Sequence, residues 1–451
     1  MTTGLRLAEP LAALSLATDL GLGQPLEHAL RRTRLAVALG TRAGLDDARL
    51  SDVFYVSLLQ GLGCVADAHD AFSLLAADDL VLRRKGALLD RTDPRQLLRL
   101  VAEEAGRADR PLRRPLHIAH ALSAGPAPIR EGYRAHCEVA ALLARRLGVS
   151  ELVQLALLGT FERWDGRGPN GVRGDEIPLA TRVVEIARLG DVHFSAGGSA
   201  QAIAAVRHER TRSLDPALSD LFMTAAVDAG GWTDLRSPTL WADVLDLEPQ
   251  QRRLIVDESR LDEIALAFAD FADLKSPWTL GHGRLTARLA EEAARALGLS
   301  AGEIVSTRRA GLLQDLGRVG LPNTILEAPR RLGPGELERV RLHPYYTERI
   351  LARAPAFASV ASLAGAHHER IDGSGYHRGS RAPQLTIGQR LLAVADAYAA
   401  ITAARPYRAA MSADAAARAL SLEVRSGQLD PNAVRAVADA ARGVRTRRPR
   451  H

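Results

Sequence analysis

Apolar positions recur at three- and four-residue spacing over most of the chain, the pattern of helices with one buried face rather than of strands. That spacing predicts helices near residues 9–20, 25–40, 48–62, 133–147, 151–161 and 179–190. A second series is predicted near 261–273, 282–297, 303–315, 335–352, 356–368 and 386–402. Gly148 and Gly298 fall just past amphipathic runs, where a left-handed C-cap belongs. The pattern contains no heptad repeat of coiled-coil length and no apolar run long enough to span a membrane.

The two series follow one plan. Ser15–Asp19, followed by His28, reappears as Ala269–Asp273, followed by His282. The offset of 254 also carries Leu58-Leu-Gln-Gly-Leu-Gly63 onto Leu312-Leu-Gln-Asp-Leu-Gly317. At an offset of 207, Phe161-Glu-Arg-Trp-Asp-Gly-Arg-Gly168 lies over His368-Glu-Arg-Ile-Asp-Gly-Ser-Gly375. Ile177–Arg188 then follows Leu385–Asp396 to within a residue, and Leu214-Asp-Pro216 answers Leu429-Asp-Pro431. Five matches in one order read as a tandem duplication. The expected division is a first copy over 1–230, a linker over 231–255, a second copy over 256–440 and a basic tail over 441–451. The first copy carries extra chain between Gln60 and His136, holding Arg83-Arg84-Lys85 and the proline-rich stretch 110–128. This insertion is expected to be irregular.

Composition narrows the class. At 451 residues the chain is long enough for two cores, and aromatic residues at 4% are too sparse for a large sheet protein. All-α is the reading. Cys64 and Cys137 lie inside apolar helical runs and are expected to be buried, unpaired and in a reducing compartment. The first ten residues lack the layout of a signal peptide, so a cytoplasmic protein is expected. The net charge of +6 is carried by arginine, Lys85 and Lys275 being the only lysines, and gathers at Arg442, Arg445, Arg447, Arg448 and Arg450. With no recognisable reading element, this tail does not make nucleic acid an expected partner.

The second copy holds the chemistry. His282 opens one predicted helix, Asp315 closes the next, His343 begins a third, His367 and His368 end a fourth, and Asp396 lies on a fifth. Imidazoles and carboxylates suit one or two divalent cations such as Fe, Mn, Zn or Mg, and separate helices can aim such ligands at one interior point. Two adjacent histidines followed by Glu369 and the turn Asp372-Gly373-Ser374-Gly375-Tyr376 set this apart from a single core histidine.

His367-His-Glu-Arg-Ile-Asp-Gly-Ser-Gly-Tyr376 resembles the signature of the HD-GYP family, a branch of the HD phosphohydrolases. Leu312–Pro322 resembles that family's HD segment, and Val394-Ala-Asp396 with Arg405-Pro-Tyr-Arg408 resembles its later ligand and Arg-Pro-Tyr motif. The likeness covers about residues 265–440. In its tandem form it is similar to members often fused to a LuxR-type helix-turn-helix.

This resemblance implies two tandem HD-domain-like bundles and hydrolysis of a cyclic dinucleotide, cyclic di-GMP foremost, at a metal centre. It assigns His282, Asp315, His343, His367, His368 and Asp396 to the metals, with Asp315 as the bridge. Asp315 and Arg318 become the catalytic pair, Arg318 standing where the family has a phosphate-contacting lysine. Arg318, Asp372, Gly373, Gly375, Tyr376, Arg405 and Arg408 become the substrate contacts. For Arg405 and Arg408, a helix-end role is the bland alternative.

Four departures bear on activity. Gln314 replaces the histidine of the HD pair, His377 follows Tyr376 in place of proline, and Ala399 and Trp278 stand where members often carry acids. Trp278 argues against a third ion. In the first copy Gly61, Thr160-Phe161 and Arg188 replace ligands, leaving His28 and His136, too few for a dinuclear site. The competing expectation is therefore an impaired HD-GYP protein that senses a cyclic dinucleotide and regulates a signalling partner. A homodimer is compatible with either.

Overall fold

In the computed structural model, residues 4–90, 92–228, 232 and 234–446 are described, and they divide into two units, Met1–Asp257 and Glu258–His451. Both are helical; the described strands are two residues each, β1 (Leu5–Arg6) and β2 (Ile255–Val256), paired antiparallel within the first unit.

The first unit runs α1 (Ala8–Gly21), α2 (His28–Arg42), α3 (Asp47–Leu59), α4 (Ala68–Leu75), α5 (Asp79–Gly86) and α6 (Pro94–Glu104). It continues with α7 (Arg114–Ala124), α8 (Ala127–Leu147), α9 (Glu151–Leu158), α10 (Leu179–Glu209), α11 (Pro216–Asp228) and α12 (Leu240–Asp246). The second unit comprises α13 (Arg260–Asp273), α14 (His282–Ala296), α15 (Ala301–Leu313), α16 (Asn323–Leu326), α17 (Pro334–Arg341) and α18 (His343–Leu351). It closes with α19 (Pro355–Ala364), α20 (Ile387–Thr402), α21 (Ala413–Arg425) and α22 (Pro431–Thr446). In the first unit α2 packs between α3 and α10; in the second α14 packs between α15 and α20.

The same local devices recur at the matched positions. Asp19 accepts from the Ala29 amide at the start of α2 (3.1 Å), as Asp273 accepts from Gly283 at the start of α14 (3.0 Å). Glu162 holds its loop through the amides of Asn170 and Val172, and Glu369 does so through those of Arg378 and Ser380. Asp215 caps α11 and pairs with Arg182, while Asp430 caps α22 and pairs with Arg390. Each device satisfies backbone donors that a helix start or loop would otherwise leave bare.

Three expectations are corrected. The insertion after Gln60 is helical, not irregular. Asp78 and Asp93 cap α5 and α6, and Pro94, Pro115 and Pro128 sit in first turns, where proline's missing donor costs nothing. The segment expected as a linker is largely part of the first unit. Leu240, Val244 and Leu245 bury the face of α12, and buried Glu248 accepts from Tyr55 and from Arg6 Nε (2.5 Å). The helix predicted over 335–352 is two, α17 and α18, meeting at Leu342.

Cys64 and Cys137 are buried and form no disulfide. No helix among the described residues is long and apolar enough to cross a membrane. Of the basic tail, residues 441–446 continue α22, and Arg447, Arg448 and Arg450 lie outside the described residues.

Candidate metal centre

Helices and the turns that follow them position the anticipated ligands of the second unit, and all but the partly exposed His368 are buried. His282 is the first residue of α14, behind Gly281, whose φ of 76° lets the chain turn into the helix. Asp315 follows α15 directly after Gln314, and His343 opens α18. Thr347 on α18 ties these two elements together. Its hydroxyl donates to the Gln314 carbonyl (2.8 Å) and accepts from the Gly317 amide (2.9 Å). His367 and His368 lie in the turn after α19 rather than at a helix end, and Asp396 projects from the middle of α20.

These side chains gather into two triads, His343–His367–His368 and His282–Asp315–Asp396, with donor atoms in each within 4.8 Å of one another. Asp315 faces both. Its Oδ2 lies 3.4 Å from His282 Nε2, and its Oδ1 lies 3.4 Å from His343 Nε2 and 3.8 Å from His367 Nε2. Asp396 stands 2.9 Å from His282 Nε2 and 3.6 Å from His368 Nδ1.

The histidine triad tests whether a metal fits. His343 Nδ1 donates to the Val340 carbonyl (2.6 Å) and His367 Nδ1 donates to that of Ala364 (2.7 Å), so both rings point Nε2 inward. The two Nε2 atoms stand 3.0 Å apart. With both protons on Nδ1, two lone pairs face each other across a buried gap, which is repulsive unless a cation lies between them. A proton is disfavoured at neutral pH, because burial and the neighbouring His367 push His343 down to about 4. A divalent metal with imidazole ligands suits the donor set.

The carboxylates are held ionised. Burial alone would raise Asp315, but Arg318 and the surrounding His282, His367 and His343 hold it well below the usual range. Burial likewise opposes Asp396, and its hydrogen bond with His282 and the nearby His368 outweigh it.

Gln314 is completely buried. Its Nε2 donates to Asp396 Oδ1 (2.9 Å), while its Oε1 has no partner. Turning the amide over would aim the oxygen at a carboxylate, an arrangement favourable only with a cation between them.

The anticipated substrate contacts divide. Arg318 spans two carboxylates, Asp315 (2.8 Å) and Asp273 (3.3 Å). Arg405 bonds the Trp278 carbonyl, and burial together with the Arg318 charge lowers its pKa. Tyr376 lies over the His368 ring at 4.7 Å, with the Arg341 guanidinium 5.9 Å from its own centroid. Gly375 permits this stacking. A Cβ there would stand 2.5 Å from both Glu369 Cα and His368 O.

Three of the contacts take the blander role. Arg408 caps α20 by donating to the carbonyls of Ala400 (2.6 Å) and Ile401 (2.8 Å). Asp372 turns its carboxylate onto Ser374 N (2.9 Å) and Oγ (2.7 Å), and Gly373 (φ 83°) serves the same turn. Their donors and acceptors are spent locally.

Two residues to which the motifs assigned no role belong here. Asp273, raised by burial to about 6, caps the His282 helix and holds Arg318. Glu369 fixes the loop bearing Tyr376. The recurrence of both in the first half of the sequence was the available signal.

At the corresponding place in the first unit, His28 Nδ1 is bonded to Asp191 (2.5 Å) and His136 Nε2 to the Gln60 carbonyl (3.1 Å). Gln60 donates to Glu185, which also accepts from Arg188 (2.8 Å). The potential ligands are already paired. A third cluster, Asp90–His208–Glu209, has Arg163 3.7 Å from each acid and Arg212 3.5 Å from Asp90, so guanidinium occupies the place of an ion.

Comparison with known proteins agrees with this geometry. The HD domain family model matches residues 267–433. The chain is 32% identical over 411 residues to 3'3'-cGAMP-specific phosphodiesterase 3 of Vibrio cholerae, covering 91% of this chain and 89% of that one. It is 38% identical over 128 residues to a cyclic di-GMP phosphodiesterase of Thermotoga maritima, 28% of this chain and 34% of the other. The crystal structure of a cyclic GMP-AMP-specific phosphodiesterase of Vibrio cholerae superposes with a TM-score of 0.68 at 28% identity, covering 97% of this chain and 98% of that one. The order of ligands, the all-helical fold and a relative that matches nearly end to end lead to one assignment: the chain belongs to the HD-GYP family of HD-domain proteins.

Proposed function

We propose that the chain is a divalent-metal-dependent phosphodiesterase that opens a cyclic dinucleotide, with its centre in the second unit. The opposed Nε2 atoms of His343 and His367, beside a carboxylate shared with His282, carry this reading. His343, His367 and His368 would hold one ion, His282 and Asp396 the other, and Asp315 would bridge them. Ions there would supply Lewis-acid charge at the phosphate and acidify an attacking water.

The chain's own residues do the rest. Asp315 draws both triads to one point, and Asp273 holds Arg318 against it. Arg318 and Arg405 place two guanidinium charges at the edge of the centre, suited to a phosphodiester that gains negative charge as water adds. Burial and the nearby Asp396 raise the Tyr376 phenol, so it stays a donor, and its ring offers a stacking face.

The substrate favoured is 3'3'-cGAMP. The relative matched along 91% of the chain is named for it and the matching solved structure for cyclic GMP-AMP, whereas the cyclic di-GMP phosphodiesterases of Thermotoga maritima and Pseudomonas aeruginosa match 28% and 29% of the chain. Purified protein supplied with Mn or Fe is expected to turn over 3'3'-cGAMP faster than cyclic di-GMP, and a chelator should stop both. Measurable nucleotide affinity without turnover under any of these metals would refute the hydrolase.

Gln314 favours a second reading, a sensor that binds without cutting, because it spends an amide donor on Asp396 where a further ligand is expected. Gln314→His separates the two. For an enzyme short of one ligand, metal content by elemental analysis should rise and turnover should increase by about tenfold. A variant that gains neither shows that Gln314 is not a missing ligand.

A further inference from the structure

The first unit holds a partly open cavity of about 340 Å³. Phe161 and Arg188 line it, and in the sequence these stand where the second unit has His368 and Asp396. Two positions that offer a lone pair and a negative charge in one half offer an aromatic face and a positive charge in the other. A site so changed repels metal cations and attracts anions.

Its walls are consistent. The Phe161 ring lies 4.6 Å from that of Tyr133, tilted by 30°, and both face the cavity. Leu88 and Leu97, both from the insertion absent in the second half, and Ile129 of α8 close it. The acids on its surface are engaged: Glu185 by Gln60 and Arg188, Glu162 by backbone amides, Asp90 and Glu209 near Arg163. The side chains of Arg130 and Arg167 also line it. His193 Nδ1 is buried in its wall with no hydrogen-bond partner.

We propose that this cavity binds a nucleoside monophosphate, its base against Phe161 and Tyr133 and its phosphate among the arginines. Flat apolar rings stack on a base whatever its sequence, and guanidinium pairs with phosphate in a fork. At about 340 Å³ the cavity is at the small end of ligand pockets, roughly 300–1,000 Å³, a size for one nucleotide rather than two. The site requires no metal and is independent of what the second unit hydrolyses.

Calorimetric titration of the full chain with GMP and with AMP tests it. One equivalent of at least one of them should bind, equally in the wild type and in Asp315→Ala. Ala205→Phe, which fills the cavity from α10, should abolish binding. Arg188→Met should weaken it by roughly tenfold or more. Should Arg188→Met lose the fold by circular dichroism, Ala205→Phe decides alone. Absence of binding by both nucleotides, binding that survives Ala205→Phe, or binding lost in Asp315→Ala overturns the proposal.

Discussion

Asp315→Ala is expected to lower phosphodiester turnover by about a thousandfold or more and to strip metal from the purified protein. The magnitude follows from position. The side chain lies within 3.8 Å of His282, His343 and His367 together, so its loss separates the two triads instead of weakening one. It also releases Arg318, whose 2.8 Å contact with Asp315 is its closest. Elemental analysis and steady-state kinetics on one preparation check both halves, with circular dichroism to establish that the helices remain. Full metal content with lost turnover would recast Asp315 as an acid–base group. Turnover near the wild-type level would sink the assignment.

The second large effect is expected from a residue with no side chain. Gly375→Ala places a Cβ in contact with the backbone of His368, Glu369 and Arg370, none of which can give way without moving the double histidine. Overpacking against backbone costs about 1–3 kcal/mol or more, and here the strain falls on two candidate ligands and on the loop that seats Tyr376. Metal content should drop and turnover fall by about a hundredfold. Gly168→Ala is the internal comparison, since its Cβ meets Glu162 in the matched loop of the first unit. It should reduce thermal stability while leaving the metal content intact. Equal metal loss in both variants would mean that general destabilisation, not the position of His368, is responsible.

Legibility in the sequence followed physical scale. The candidate ligands were readable because a metal centre needs particular residue types held on helices and their flanking turns: His282, Asp315, His343, His367, His368 and Asp396 lie in two neighbouring clusters. Periodicity found the framework helices. It missed α21 and α22, where apolar faces are rich in alanine, and it took proline for irregularity where α6, α7 and α8 use it as a starting residue. Substrate contacts were the weakest part. Arg405 and Arg408 look alike in the sequence, and only the local backbone decides that Arg408 is consumed by the carbonyls of Ala400 and Ile401. Gln314 could be seen to remove a histidine. That it turns a donor toward Asp396 and leaves Oε1 bare could not.

The six candidate ligands are drawn from five separate segments between His282 and Asp396. An unfolded chain cannot present them together, so a metal that binds them recognises the native state alone. Its binding free energy then becomes resistance to unfolding, about 2.7 kcal/mol when the free ion is at a hundred times its dissociation constant. The second unit's lifetime against heat and proteases would rise and fall with the ion supply. Scarcity of metal would thus act on how much of the protein survives as well as on how fast each copy works.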